Sequence, residues 1–494
     1  MNMSCTLLGA LSMVALCGAV LAAGTAAPEG HRTDWFRDAQ WGVFTHYLTG
    51  KDTTAEAWNR QVDAFDVPGL VEQLEAIGGK YYVITIGQNS GHYCAPNATY
   101  DRLTGIAPSK CSRRDLIADL AKALEPHGIR LMVYLPSGAP AADHVARKKL
   151  GWLWGRKGGW QLPGEPVGGR LAEFQRRWEA VIREWSQRWG KSVHGWWFDG
   201  CYFADVMYRH PEPPNFASFA AAARAGNPES ILAFNPGVKY PIVTVTEHED
   251  YTAGEITDPG RVECDGRWVG GAQWHMLSYL GTSWCKGNKP RFADEAVIEW
   301  CRDIIDGEGV VTWDVPIRPS GLIPQPFVNQ LVALRKALAE PRRPKPAVPP
   351  GNLASHKRAK LLDIKGARRL SVNSGKHFAR NGVDGDPATW AQAGGEWPWA
   401  YHVDLKAVHR IRKVVITFAP VFATEYKVNV SATGKGDWKT VAHRTGCTGG
   451  KQAHTFEPTP ARYVRILALK PDGPRQEGTQ MGVAELEVYG DGAE

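Results

Sequence analysis

The tetrad Trp197-Phe198-Asp199-Gly200 puts a carboxylate where this sequence has the best setting for chemistry. It ends an apolar run, 193–198, so the acid falls where a buried strand would stop. Aromatic neighbours thin the water around it, and ionisation then depends on nearby groups, as a nucleophile or proton-transfer acid requires. The competing reading is a turn former or helix cap, the commoner role of a strand-end Asp. Other chemistries find no pattern to rest on. The nine Cys contain no Cys-x-x-Cys pair and no Cys/His spacing of the zinc type. No Gly-rich phosphate loop follows the first candidate strand. Twenty Trp are present, and Trp stacks on flat sugar faces as readily as it fills cores.

The elements that would position Asp199 alternate in type. Candidate strands cover 42–46, 80–86, 130–135, 194–199, 231–235 and 309–313. Helical patterns cover 67–77, 114–126, 171–189, 293–306 and 326–338. Leu116, Leu120 and Leu124 recur every four residues, as one buried helix face requires. Alternation of this kind over about 300 residues predicts a parallel sheet with helices around it, as a (β/α)8 barrel or a doubly wound fold, and the missing phosphate loop favours the barrel. In a barrel, strand ends carry the site. The stretch 341–350 is dense in Pro and charge and reads as a linker. Beyond it, short alternating runs at 413–418, 426–432 and 463–469 predict a β-sandwich.

Trp35 to Tyr47, Lys80 to Ile86, Leu131 to Ser137, Trp196 to Gly200 and Gly321-Leu322-Ile323-Pro324 occur in an order that resembles the α-L-fucosidases of glycoside hydrolase family 29. The resemblance covers roughly residues 31 to 340. It implies a (β/α)8 barrel and retaining hydrolysis of terminal α-L-fucosyl or related deoxy-sugar units. Retention uses two carboxyl groups about 5–5.5 Å apart. By the same resemblance Asp199 is the nucleophile. Glu247, Glu249 and Glu255 are the acids available as proton donor, and the run Asp250 to Glu255 matches Glu255 to that role. An exposed loop acid is the competing reading for each. His46, Trp58, Tyr134 and Trp284 match sugar-contacting positions, against core packing as the alternative. The family's Lys-His-His-Asp-Gly run is replaced by Gly87-Gln88-Asn89-Ser90-Gly91-His92-Tyr93, which leaves Gln88, Asn89 and His92 to meet sugar hydroxyls. Its Asn-Arg pair is replaced by Asn235-Pro236-Gly237, with Lys239 the nearest cation. A Lys does not reproduce the donor fork of an Arg. Two alternatives follow: the same mechanism on a different or modified L-sugar, or a carbohydrate-binding protein with a decayed barrel.

The closing region resembles the discoidin, or coagulation factor 5/8 type C, sandwich. Asn352-Leu353-Ala354-Ser355, Gly382 to Trp390, Ala461 to Ile466 and Ala484 to Gly490 carry that likeness. It implies carbohydrate binding and a structural Ca²⁺, for which Asp384 and Asp386 are the candidate ligands; turn formation explains the same two residues equally well. Trp397 and Trp399 read either as a stacking platform for sugar or as a loop anchor. No cofactor is expected for catalysis.

Residues 1–27 read as a signal peptide: an apolar run, 7–23, leads to small residues, although no Lys or Arg precedes it. The expected organisation is therefore 1–27 leader, 28–340 catalytic barrel, 341–350 linker and 351–494 sandwich. A secreted or periplasmic protein is expected, with an oligo- or polysaccharide as its partner. No later segment is long and apolar enough to span a bilayer. The formal charge of +7 has no basic-helix or aromatic-basic pattern behind it, which excludes a nucleic-acid partner and leaves either solubility or attraction to an acidic polysaccharide. Cys94 and Cys111 are a plausible disulfide in an oxidising compartment.

Overall fold

The computed structural model describes residues 30–152, 170–202, 208–264, 266–341, 349–363, 377–393, 399–470 and 481–491. The leader (1–27), most of the linker and Trp397 lie outside the described residues. No helix among the described residues is long and apolar enough to cross a membrane.

The first half forms one parallel sheet from β1 (Trp41–Thr45), β2 (Tyr81–Thr85), β3 (Arg130–Pro136), β4 (Val193–Asp199) and β5 (Ile231–Phe234). After a short hairpin of β6 (Trp268–Val269) and β7 (Ala272–Gln273), β8 (His275–Tyr279) and β9 (Val310–Asp314) complete it, in the order β5-β4-β3-β2-β1-β9-β8. The segment 250–256 closes the sheet. Asp250 and Tyr251 donate their backbone N–H to Leu232 O on the β5 side; Thr252 and Ile256 donate to Gln273 O and Leu277 O on the β8 side. Eight parallel runs thus ring a barrel, with helices outside it.

β1, β2 and β9 are buried at every position, as expected of strands covered on both faces. The predicted helices are present, with ends within two residues of those expected. Leu116, Leu120 and Leu124 are fully buried on the helix Leu116–Leu124, whose first turn is capped by Asp115 accepting from Ala118 N–H at 3.0 Å. The candidate strands lacked β8 and the closing segment, because neither carries a run of β-branched or aromatic residues.

The C-terminal region is antiparallel. β10 (Arg358–Asp363), β11 (Trp399–Phe418), β12 (Glu425–Ser431), β13 (Lys439–Arg444), β14 (Lys451–Lys470) and β15 (Val483–Gly490) pair in the order β10-β11-β14-β12-β13, with β15 on β11. Register shifts between Asp404 and His409 bend the long β11 and β14. Their two halves then fold over one core that contains Tyr401, Val403, Ile416, Val464 and Leu486. Trp399 belongs to that core and is fully buried, so the loop placement expected for it is corrected.

The suggested disulfide is absent. Cys94 and Cys111 are both free, buried thiols. Tyr93 and Cys111 form a bridge, so the two chains run side by side, but the Cys94 thiol turns to Thr85 O at 3.5 Å.

Candidate active site

The ends of the barrel strands deliver one cluster of side chains. Asp199 is the last residue of β4. Its Oδ2 accepts from the Tyr134 hydroxyl at 2.6 Å. Its Oδ1 accepts from Gly200 N–H at 2.8 Å, from Asn235 Nδ2 at 2.8 Å and from the Tyr202 hydroxyl at 3.4 Å. Tyr134 is fixed from behind by Gln88, whose amide donates to the same hydroxyl. Burial, and then the Asp199 charge, push the Tyr134 phenol well above its ordinary range, so it remains a donor.

Glu255 reaches the cluster from the closing segment 250–256. The competing reading of an exposed loop acid does not hold for it, because the residue is half-buried and its backbone pairs with β8 through the Glu255–Leu277 bridge. Asn235 Nδ2 donates to Glu255 Oε2 at 2.7 Å as well as to Asp199. One amide nitrogen holding both acids brings their bound oxygens within about 5.5 Å of each other, the close end of carboxylate-pair spacings. Burial raises Glu255 from 4.5 to about 7; the Asn235 hydrogen bond opposes this, the Asp199 charge adds to it and His46 opposes it.

Asn235 is itself locked. It is fully buried just beyond β5, its Oδ1 accepts from Gly237 N–H at 3.0 Å, and its backbone bonds to Phe198 and Cys201. His46, just past β1, pairs Nδ1 with Asp314 Oδ1 at 2.7 Å. Asp314 ends β9, is fully buried, and accepts Cys285 N–H on its other oxygen at 2.7 Å. A carboxylate only accepts, so Nδ1 carries the hydrogen and Nε2 is left for a ligand. The His46 ring lies 5.4 Å from Tyr134 and 6.4 Å from the half-buried Trp284.

The structure therefore brings His46, Gln88, Tyr134, Asp199, Glu255 and Trp284 together. Trp58 and His92 pair elsewhere, with rings 6.2 Å apart, and both are 1% exposed. Trp58 donates its indole N–H to Tyr93 O at 2.8 Å. His92 has no hydrogen-bond partner on either ring nitrogen, and burial, then the Lys110 charge, drive it down to about 4. Neither bonds to the two acids among the described residues. Asn89 is half-buried, and its backbone carbonyl accepts Ala142 N–H at 2.9 Å. Of the rival acids, Glu247 is exposed, while Glu249 is buried on three backbone donors, Val245, Phe234 and Thr246. Glu249 serves the backbone, although burial also lifts it to about 7.

Asn235, Asp314 and Tyr202 were not foreseen. Trp313-Asp314 repeats the aromatic-acid strand ending of Phe198-Asp199, and that likeness was the available signal.

In the C-terminal module Asp384 and Asp386 serve turns. Asp384 accepts from Asp386 N–H and the Thr389 hydroxyl at 2.9 and 2.8 Å, and Asp386 from Ala388 N–H at 2.9 Å. Glu485 accepts Gly385 N–H at 3.0 Å through one oxygen, while its other oxygen is buried without a partner. No group of three or more His, Cys, Asp and Glu among the described residues is gathered as a metal shell.

No curated protein matches the chain. Among solved structures, a putative α-L-fucosidase from Bacteroides thetaiotaomicron is 14% identical, over 93% of this chain and 97% of that one, at a TM-score of 0.46. A family 29 fucosidase from Ruminococcus gnavus in complex with fucose is 14% identical, over 93% and 94%, at 0.44. An endo-fucoidan hydrolase of glycoside hydrolase family 107 is 16% identical, over 63% and 94%, at 0.47. The C-terminal module of this chain, at residues 367–484, matches the family model of the F5/8 type C domain.

Proposed function

We propose that this protein is a secreted, retaining exo-glycosidase that releases terminal α-L-fucosyl or closely related deoxy-sugar units from glycans. The observation that carries the reading is the single Asn235 amide nitrogen bonded to both Asp199 and Glu255. Inverting enzymes leave about 6.5–9.5 Å between their acids for a water; the shared amide, which keeps one oxygen of each acid within about 5.5 Å of the other, supports the retaining reading. Glu255, raised to about 7, is protonated below neutrality and in about half of the molecules at pH 7, and that proton goes to the leaving oxygen. Asp199 attacks the anomeric carbon as that bond breaks, forming a glycosyl ester. Glu255, now a carboxylate, takes a proton from water, which attacks the same carbon and frees Asp199. His46 Nε2 and the Trp284 face supply sugar contacts. The secreted setting rests on the apolar run 7–23 of the sequence.

The test is hydrolysis of an aryl α-L-fucoside by wild type and Asp199→Asn. Turnover should fall by roughly a thousandfold or more in the variant. Equal activity in the two defeats the assignment. A second reading, the same chemistry on another L-sugar, is favoured by Gln88, whose amide is tied to Tyr134 where the family carries sugar-binding His. A panel of aryl glycosides decides it: silence on the fucoside with cleavage of another sugar selects this reading.

We also propose a structural Ca²⁺ in the C-terminal module, held by Asp384 and Glu485 together with backbone carbonyls. The unpartnered buried oxygen of Glu485 supports it.

A further inference from the structure

On the outer face of the C-terminal sheet, one row of paired residues crosses five strands. Lys360 on β10 pairs with His402 on β11, His402 with Arg465 on β14, Arg465 with Asn429 on β12, and Asn429 with Thr440 on β13. Directly paired residues share a face. The alternate positions Leu361, Val403, Ile466 and Val428 point into the core, so this row is the outward one.

Two members of that outward row are nevertheless 7% exposed, His402 and Arg465. Aromatic side chains cover them. The Arg465 guanidinium lies 3.8 Å from the Trp438 ring centre, and the His402 ring is 5.6 Å from Trp438 and 5.4 Å from Tyr463. Arg465 Nε and His402 Nδ1 have no hydrogen-bond partner. A buried donor left unmet is costly, so the arrangement favours an incoming acceptor.

The neighbouring acids are mostly committed. Asp404 is held by both nitrogens of Arg462, at 2.7 and 2.8 Å. Glu263 of the barrel takes Lys360 at 2.9 Å and Arg358 at 3.7 Å. Asp363 attracts Arg465 through space. The charge of the whole module is also unlike that of the rest of the chain. Residues 352–494 contain 21 Lys and Arg against 14 Asp and Glu, which accounts for the whole formal +7 of the protein.

We propose that Arg465, His402, Trp438, Tyr463 and Lys360 form a binding site for an acidic polysaccharide, with a sulfate or carboxylate on Arg465 and a sugar face on the aromatic pair. A guanidinium stacked on one ring keeps its N–H edge for a two-oxygen anion. The site deepens the carbohydrate-binding reading of the module and is independent of the barrel chemistry, so failure to hydrolyse a fucoside leaves it standing.

The test uses the full chain on immobilised heparin, polygalacturonate and neutral xyloglucan. Retention on an acidic polymer and not on xyloglucan is expected; because heparin carries carboxylates as well as sulfates, retention on heparin alone identifies sulfate, and retention on polygalacturonate identifies carboxylate. Arg465→Met and Trp438→Ala should each weaken that binding about tenfold while leaving aryl-glycoside turnover and thermal stability near wild type. Arg410→Gln, at an exposed cation on the other half of β11, should change it less than about twofold. If Arg465→Met lowers the melting temperature, Trp438→Ala on its loop decides. Equal retention on xyloglucan, retention on none of the three, unchanged binding in Trp438→Ala, or an Arg410→Gln loss as large as that of Arg465→Met overturns the site.

Discussion

Asn235 and Glu255 set the pH behaviour of the site. Glu255 is raised from 4.5 to about 7 chiefly by burial, so the proton needed for the first step is present below neutrality and lost as pH rises through that value. The alkaline limb of kcat/KM should fall with a midpoint near 7, and Glu255→Gln should remove the limb together with most activity on substrates with poor leaving groups. Asn235 donates to the ionised form of Glu255 and thereby lowers its pKa. Asn235→Ala should move the alkaline limb to higher pH and lower kcat about 10- to 100-fold, with a smaller change in KM. A limb that stays in place, or moves down, contradicts the bridging role. Asp199 was legible because its apolar run and its neighbours announce a strand end. Asn235 stood out only as a departure from an expected Asn-Arg pair. Its bridging depends on the spatial approach of β5 to 250–256, which no local pattern encodes.

The closing segment 250–256 decides whether Glu255 arrives at all. Gly254 has φ +63°, and a Cβ there would lie 2.0 Å from His275 O on β8. Gly254→Ala should therefore cost about 2–4 kcal/mol of stability and move Glu255, lowering activity more than a control does. Gly105→Ala is that control: its φ is +65° with nothing within 4 Å, so only the backbone term of about 1–2 kcal/mol applies. Denaturant melts and turnover of both variants check the contrast. The helices were readable because Leu116, Leu120 and Leu124 mark a face without help from the rest of the fold. The segment 250–256 and β8 were not, since residues such as Asp250, Thr252 and His275 join the sheet only through hydrogen bonds to the segments beside them. In the sandwich, the turn at Asp384 makes a parallel prediction. Burial first, then the Asp384 and other acid charges, raise Glu485 to about 7, and a metal binds only its ionised form. Stabilisation by added Ca²⁺ should grow between about pH 6 and 8 and disappear in Glu485→Gln, measured as a shift in melting temperature against EDTA.

Among the described residues, the barrel and the sandwich meet through charge at Arg380 and at Glu263 and through an aromatic contact. Arg380 reaches both Glu299 and Asp303 on the outer barrel helix Asp294–Asp306. Glu263 receives Lys360 and Arg358 of β10. Phe378 sets its ring edge-on to Trp300, with centroids 6.3 Å apart. The linker sequence announced two modules but not this seam, because Arg380 and Glu299 are ordinary surface charges until the fold places them opposite each other. The Arg380 side chain is 30% exposed and its partners 29% and 47%, so solvent screens the fork and its worth is about 1 kcal/mol. Arg380→Ala should then lower the temperature at which the modules uncouple by about 2–4 °C, seen in calorimetry as one transition broadening toward two. Salt should act in the same direction on wild type and less on the variant, where the Glu263 contact with Lys360 and Arg358 is left to screen, since at about 1 M the screening length is near 3 Å. Turnover of a small aryl glycoside should not change, because the acids sit on strand ends and the seam lies on an outer helix. A wild-type melt insensitive to both salt and Arg380→Ala would instead assign the coupling to Phe378 and Trp300, with charge idle at the seam.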